Sequence, residues 1–382
     1  MLTATEIRAV LGTRIPGIEM LRAVAIIAVL LQNRSSPEFA TQGLFARLWS
    51  MISGTGWSGV QLFFVISGFL ITGILLDKAD QPRVLKNFYM RRVLRIFPVY
   101  FAFLAFFYLL LPALESFPRW LEPSQQHQFW FWTYLVNWVQ PYVDGLRFGH
   151  LWSLAIEEQF YLLWPWLVLF VAPRRMVGLC LLLIVSAPLF RLALWWFDPQ
   201  WEGSAYTFTF ARWDALAIGA LLAYWLRSET HFERLRPWVK PLFFGLLMLI
   251  LGQLLWFHEF RAVTGTLGLL NQTTVALFSG ALLLLSLSVP LPEGPGWKNR
   301  VGRWLMAVGK YSYALYLVHM PIKMWWTQSG FALVPADFST GLAEPLALLG
   351  NFVAVFGLSL GLSWLSWRLL EWPFLRLKRH FA

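Results

Sequence analysis

The sequence predicts an all-α membrane protein, a polytopic bundle of about ten transmembrane helices. The chain of 382 residues is 58% hydrophobic and only 13% charged, and its mean hydropathy is +0.57. Soluble domains contain about 25% charged residues. The aromatic content of 18% suits lipid-facing surfaces with interfacial aromatic belts. The hydrophobic residues also fall into separate runs of about 20 residues, the length that crosses a bilayer.

The boundaries of the predicted helices are set where charged or Pro/Gly-rich segments interrupt the apolar runs. The first run contains Arg22 and is followed by no cleavage pattern, so we expect an uncleaved helix and not a signal peptide. An aromatic run at 129–139 is too short to cross, and it is predicted to lie in the interface or re-enter it. The ten predicted helices cover residues 17–33, 59–76, 94–112, 150–171, 177–197, 207–226, 240–257, 269–290, 304–325 and 346–370.

The distribution of basic residues predicts the orientation. With both termini in the cytoplasm, 20 of the 31 Lys and Arg residues fall in cytoplasmic segments and 5 in the opposite loops. Such a bias over short loops is a strong topology signal. It also accounts for most of the net charge of +11, so no nucleic-acid partner is expected. The whole chain, 1–382, is expected to form a single transmembrane domain without an attached soluble domain.

Cysteine and histidine usage argues against a metal centre. The one cysteine, Cys180, lies inside an apolar run, so neither a disulfide framework nor a thiolate site is possible. The six histidines show no ligand spacing. No metal is expected.

Ionisable residues at membrane depth are expensive and are therefore candidates for function. Arg22 and Asn33 are eleven residues apart, which places them about 20° from one helix face and about 16 Å apart along the axis. In the outer half of the helix at 150–171, His150, Ser153 and Glu157 stack on one side.

Each of these candidates also has a structural reading. His150 would cap its helix, and His319, which is predicted at a similar depth, would pack between helices. Glu157 would pair with Arg212 or His150. Arg212 and Asp214 are read as a local pair that supports helix packing, which is favoured over a catalytic role. For Glu371, at the inner end of the last helix, an interfacial anchor or structural acid is expected.

The segment between the second and third predicted helices, together with the start of the third, is rich in basic residues, among them Arg91, Arg92 and Arg95. Arg92 and Arg95 are three apart, so on a helix they present one cationic face suited to phosphate contacts. A polyphosphate ligand that arrives from the cytosol would need such a site. The alternative is an anchor that fixes topology.

Six sequence pieces, in this order along the chain, resemble the acyltransferase-3 family of membrane proteins, which O-acylate bacterial envelope glycans and some antibiotics. Together they cover nearly the whole chain. They are GIEMLRAVAIIAVLL around Arg22, FFVISGFLITG at 63–73, RRVLRIFPVY at 91–100, HLWSLAIEEQFYLLWP at 150–165, RWDALAIGALLA at 212–223 and YSYALYLVHMPI at 311–322.

The resemblance implies an acyl-coenzyme A donor, with acetyl-coenzyme A as the expected form. It implies that Arg92 and Arg95 match the family's R-x-x-R coenzyme-contacting motif and that Ser153 and Glu157 match its S-x-x-x-E motif. Arg91 and Arg22 join the candidate coenzyme-binding residues.

Arg22 also begins the family's Arg-x10-His motif, but the histidine position, the expected general base, holds Asn33. An amide does not take a proton at neutral pH. Three explanations stay open: a substitution introduced to trap substrates, a natural variant that uses His150 or His319 as the base, or a natural inactive binding or transport relative.

The expected function is therefore O-acyl transfer in a bacterial inner membrane. The acceptor would be a hydroxyl of an extracytoplasmic or lipid-linked glycan, such as lipopolysaccharide O-antigen or exopolysaccharide. The candidate catalytic residues are Asn33, His150, Ser153, Glu157 and His319. The alternatives are acylation of a small molecule such as a macrolide, or a non-catalytic transporter or flippase.

Overall fold

The computed structural model describes residues 15–32, 44–114, 121–257, 265–331 and 343–381. These residues form helices and the turns that join them, with no strand among them. The prediction of an all-α fold is confirmed.

The long helices coincide with the predicted apolar runs. One further helix, at 44–54, was not predicted, because its eleven residues are too few to cross a bilayer. The helices of eight or more residues in the described ranges are α1 (Pro16–Gln32), α2 (Leu44–Gly54), α3 (Ser58–Asp77), α4 (Val84–Ala105), α5 (Trp152–Phe170), α6 (Pro173–Phe197), α7 (Thr209–Trp225), α8 (Glu229–Phe257), α9 (Gly265–Ser286), α10 (Trp297–Gln328) and α11 (Ala343–Ser366).

Several helices extend beyond the predicted boundaries into charged sequence. α4 begins at Val84 instead of 94, α8 at Glu229 instead of 240, and α10 at Trp297 instead of 304. The predictions followed hydrophobicity, whereas backbone hydrogen bonds continue a helix through charged residues. One consequence is that Arg92 lies within a helix and not in a loop before it.

Within the described residues, six helices are long and apolar enough to cross a membrane. The protein is therefore a multi-pass membrane protein, while ten crossings and cytoplasmic termini stay predictions. The six segments are Met51–Asp77, Val84–Ala113, Pro173–Phe197, Glu229–Trp256, Gly268–Ser286 and Leu346–Phe381.

The centre of the bundle is packed closely around α3 and α7. A Cβ atom at Gly68 of α3 would collide with the carbonyl group of Leu216, and one at Gly219 of α7 would collide with that of Val65. These reciprocal contacts require glycine because the two backbones touch. Gly309 of α10 meets the Glu19 carbonyl of α1 in the same way. These contacts hold α3 against α7 and α10 against α1 at a fixed separation.

The segment at 129–139 is packed into the bundle. It forms the short helices Gln128–Trp132 and Val136–Val139. The Tyr100 hydroxyl of α4 donates to the Phe131 carbonyl at 2.8 Å, and the rings of Tyr100 and Tyr134 stack 4.2 Å apart. The segment thus packs against α4 and helps to hold that helix in place.

The end of the chain folds against α4. After α11 the helix continues as a π-helical turn at Trp367–Glu371, a short helix at Trp372–Arg376 and a 3-10 turn at Leu377–Phe381. We call residues 367–381 the C-terminal segment. Arg91 of α4 donates to the Phe381 carbonyl at 3.4 Å.

Candidate functional site

A cleft runs through the bundle between α1, α3, α4, α5 and α10, and we call it the central cleft. It holds a space of about 970 Å³. Its wall on α3 runs from Val60 to Ile74, about 21 Å along a helix. The charged and hydroxyl-bearing residues that line it are Arg22, Ser67, Arg92, Arg95, Ser153, Glu157, Glu158, Tyr161, Ser312, Tyr313 and Tyr316.

Three arginines face this cleft from two helices. Arg22 of α1 donates to the Ser312 hydroxyl of α10 at 2.9 Å. Arg92 of α4 lies over the rings of Phe88 and Tyr161, 5.6 and 5.3 Å from their centroids. Arg95 follows one turn later. In the described part of the chain, none of the three arginines forms an ion pair with a carboxylate.

Unpaired cations in a membrane-embedded cleft are costly unless a ligand or water offsets their charge. The predicted shared face of Arg92 and Arg95 is present in the structure. Arg91, one residue earlier, points to the C-terminal segment and not into the central cleft. The structure thus brings Arg22, Arg92 and Arg95 together and separates Arg91 from them.

Glu157 lies in the cleft beside these cations. Its carboxylate lies beside the hydroxyl groups of Ser67 and Tyr161, and its charge acts on Arg22 and Arg92. Ser67 and Tyr161 also bond each other at 2.5 Å. The structural reading that paired Glu157 with Arg212 or His150 is wrong: its charged neighbours are the cleft arginines.

Ser153 lines the cleft one turn from Glu157, as expected for a spacing of four on one helix. Its hydroxyl bonds the Tyr316 hydroxyl at 2.6 Å. Tyr316 in turn donates to the His150 carbonyl at 2.7 Å. Ser153 and Tyr316 therefore form a polar pair on the wall of the cleft.

His150 and His319 lie behind that pair. Their ring centroids are 5.0 Å apart, and Nε2 of His150 lies 3.3 Å from the Leu317 carbonyl oxygen. Because a carbonyl only accepts, Nε2 carries the proton and Nδ1 keeps a lone pair. Among the described residues that buried Nδ1 has no hydrogen-bond partner. In His319, Nδ1 lies 2.6 Å from the Tyr316 carbonyl oxygen, which leaves Nε2 as the basic nitrogen.

Asn33 lies outside the described residues, which on α1 end at Gln32. The predicted shared face of Arg22 and position 33 is therefore known only at Arg22, which does line the cleft.

Arg212 and Asp214 do not form the local pair that the sequence indicated. Asp214 instead pairs with Arg191 of α6 at 3.1 Å, and both side chains are 0% exposed. Residues two apart on a helix differ by about 200° and do not face each other. Arg212 lies in an aromatic cage, 5.0 to 5.8 Å from the rings of Tyr206, Trp152 and Phe64.

A second cleft adjoins the central cleft and shares Arg22, Arg95 and Tyr313 with it. We call it the basic cleft; it holds a space of about 780 Å³. Its remaining lining comes from α1, α10 and the C-terminal segment: Glu19, Lys310, Trp367, Glu371, Leu375 and Lys378. Glu371, expected to be an anchor or structural acid, is 4% exposed and lies in this cleft.

Sequence reasoning missed several residues of the site, including Glu158, Ser67, Tyr161 and Ser312. Tyr161 is four residues after Glu157 and so was detectable from helical spacing. Ser67 and Ser312 are small polar residues within apolar helices, a weaker signal. Within the described ranges, no three His, Cys, Asp or Glu side chains are grouped so as to hold a metal ion.

Comparison with known proteins decides the family. The family model described as an acyltransferase domain matches residues 15–368. The chain belongs to the acyltransferase-3 family. The match covers α1 to α11 and so includes the whole lining of the central cleft, whereas Glu371, Leu375 and Lys378 of the basic cleft lie beyond it. The prediction of an acyltransferase is confirmed at the level of the family.

Two curated relatives are similar over most of this chain. It is 29% identical over 329 residues to a peptidoglycan O-acetyltransferase of Listeria monocytogenes, covering 81% of this chain and 49% of the relative. It is 26% identical over 329 residues to an O-acetyltransferase of Staphylococcus aureus, covering 81% and 50%. The chain thus spans about half the length of these relatives. No solved structure matches it.

Proposed function

We propose that this acyltransferase-3 protein moves an acetyl group from acetyl-coenzyme A to a hydroxyl of an envelope glycan, at membrane depth. The observation that carries the proposal is the central cleft, which joins three unpaired arginines to a polar pair beside two histidines. The names of both relatives support O-acetyl transfer, and the name of the Listeria relative supports a glycan as the acceptor. A bacterial inner membrane and a glycan such as O-antigen or exopolysaccharide belong to the same proposal.

The arginines fit the phosphates of the donor. Arg92 and Arg95 present forked guanidinium groups from successive turns of α4, suited to bidentate phosphate contacts. Arg22, held by Ser312, continues the cationic wall onto α1. The thioester arm would extend along α3 toward Val60, away from the arginines.

The chemistry is attack of a hydroxyl oxygen on the thioester carbonyl carbon. The new C–O bond forms, the C–S bond breaks, and coenzyme A leaves as a thiol that takes up the proton removed from the hydroxyl. A proton acceptor is required for this step. Since Asn33 is an amide, we assign that role in this chain to Nδ1 of His150, which keeps a lone pair behind the Ser153–Tyr316 pair of the cleft wall.

Donor binding is the first test. Arg92→Ala and Arg95→Ala should each weaken coenzyme A binding by about 1.5 to 3 kcal/mol, the range for a lost hydrogen bond to a charged group. The matched control is Lys86→Ala, because Lys86 is an exposed cation on the same helix outside both clefts. Isothermal titration in detergent measures each affinity. Equal binding by all three variants would reduce the arginines to topology anchors.

Transfer is the second test. Purified protein is incubated with labelled acetyl-coenzyme A and fractionated envelope glycan, with a macrolide as the competing acceptor class. We expect labelled ester on the glycan and a loss of that label in His150→Gln. Donor binding without transfer to any acceptor would favour the transporter reading instead.

The proposal also requires that the arginines face the cytoplasm. Single cysteines at Asp80 and Asp144, both exposed, should react with membrane-impermeant reagents from the cytoplasmic and outer sides respectively. The native Cys180 is buried and does not compete. Labelling of both positions from the same side of the membrane would contradict this topology.

A further inference from the structure

The basic cleft contains two lysines that have no role in the proposed reaction. It continues from the central cleft past Arg95, and α10 and the C-terminal segment bring Lys310 and Lys378 to it. Neither lysine is part of the motifs that resemble the family. We propose that this cleft binds the phosphate monoester at the nucleotide end of the donor, and that Lys310 and Lys378 select donors that carry it; the inference rests on the proposed function.

The lysines are available to a ligand. The Lys310 ammonium lies 4.2 Å from the centroid of the Trp367 ring and 5.2 Å from that of Tyr311. Over the described ranges, no ion pair joins Lys310 or Lys378 to a carboxylate. An ammonium group offers three rotatable donors and so adapts to a phosphate oxygen without fixed geometry.

The charge of the cleft matches such a ligand. Its lining holds four cations, Arg22, Arg95, Lys310 and Lys378, and two carboxylates, Glu19 and Glu371. Arg22 and Arg95 are shared with the central cleft and its diphosphate, so Lys310 and Lys378 are the cations left for the monoester. A phosphate monoester carries about −1.5 to −2 at pH 7. The buried Glu371 lowers the mutual repulsion of the cations while the cleft is empty, and its Oε1 has no hydrogen-bond partner among the described residues.

The connection between the two clefts indicates which end of the donor lies in the basic cleft. Arg22, Arg95 and Tyr313 belong to both linings, so a molecule whose diphosphate meets Arg92 and Arg95 has its remaining nucleotide beside the basic cleft. In coenzyme A that remainder carries the 3′-phosphate. The C-terminal segment therefore acts as part of the donor site.

The test compares coenzyme A with 3′-dephospho-coenzyme A. Wild-type protein should bind coenzyme A about tenfold or more tightly, the loss expected for one charge-assisted hydrogen bond. Lys310→Met and Lys378→Met remove the charge and keep the apolar stem. Each should lower affinity for coenzyme A toward that for the dephospho form, which should bind all proteins alike. Lys378→Arg should restore most of the preference.

Two exposed cations on the same elements are matched controls. Lys298→Met on α10 and Arg379→Met in the C-terminal segment should keep the full preference. A variant that weakens both ligands equally, or a wild-type protein without preference, would overturn the inference while leaving the proposed function intact. Failure of wild-type protein to bind either ligand would overturn both.

A lipid headgroup could supply the same phosphate chemistry, so a separate experiment distinguishes it from the nucleotide phosphate. Coenzyme A affinity is measured in nanodiscs of phosphatidylcholine alone and with phosphatidic acid added. We expect equal affinities. If phosphatidic acid lowers the affinity, and Lys378→Met removes that competition, the cleft holds a lipid phosphate and the inference is wrong.

Discussion

Arg191 and the arginines of the central cleft differ in how their charge is satisfied. Arg191 is completely buried, and its guanidinium donates to the carbonyls of Leu269 and Ala211, to Asp214 and to Gln272 and Thr273. In contrast, Arg22 has the Ser312 hydroxyl, and Arg92 has two aromatic rings. A guanidinium enclosed by protein acceptors stabilises the fold, whereas one that lines a cleft without them is available to a ligand.

The largest effect is therefore expected at Arg191. Arg191→Met leaves the Asp214 carboxylate buried without its cation and should destabilise the protein by about 3 to 5 kcal/mol. Arg92→Met, the same chemical change in the cleft, should alter the free energy of unfolding far less. Thermal unfolding in detergent, followed by tryptophan fluorescence, compares the two. Equal losses of stability would remove the distinction between them.

A substitution at position 33 should show the opposite behaviour, with a change in rate and none in stability. Asn33→His supplies the base that the resemblance of the first helix implies for this position and should raise transfer by about two orders of magnitude or more, since general base catalysis contributes 10² to 10⁴. Donor affinity should change little, because the gain lies in the transition state. Initial rates with saturating donor measure it. If the unchanged sequence is equally active, the base that His150 supplies is sufficient and position 33 has no role in proton removal.

Glu157 tests whether the cleft charges act on the ligand. Glu157→Gln keeps the size of the side chain but removes a negative charge that acts on Arg22 and Arg92. Coenzyme A should bind more tightly, because Arg22 and Arg92 then act on its phosphates without a competing carboxylate. Glu202→Gln, at an exposed position outside both clefts, is the control. Weaker donor binding in Glu157→Gln would contradict the assigned direction.

The smallest effect concerns the support of Arg22. Ser312→Ala removes the acceptor 2.9 Å from its guanidinium, which should cost about 1 kcal/mol, or about fivefold in donor affinity. Ser363→Ala removes a hydroxyl that bonds the Ser359 carbonyl of its own helix and should leave donor affinity unchanged. Titration calorimetry separates the two. No difference between them would mean that Arg22 keeps its position without Ser312.

The positions of the helices along the chain could be predicted from the sequence more accurately than the contacts between them. Apolar runs located the long helices because a membrane helix must satisfy its backbone internally and present apolar side chains to lipid. The ends of α4, α8 and α10 were misplaced because charge does not end a helix. The cationic face of Arg92 and Arg95 was predictable because it depends on spacing along one helix.

Contacts between distant segments could not be predicted in this way. The partner of Asp214 is 23 residues away on another helix, and Ser312 is 290 residues from Arg22. Nothing in local spacing indicates which helices meet. The basic cleft likewise depends on the fold of the C-terminal segment against α4, which apolar periodicity does not encode.

The reciprocal glycine contacts of α3 and α7 have a consequence for the size of the acyl group. α3 is fixed to α7 on one face, and its other face forms the wall of the central cleft through Val60, Phe63, Leu70 and Ile74. A helix whose backbone touches its neighbour has no room to retreat. The width of the cleft on this side is therefore set by apolar side chains and not by the position of the helix. Under the proposed function, a change in their volume, without any movement of helices, is the route by which the protein would come to admit a longer acyl chain.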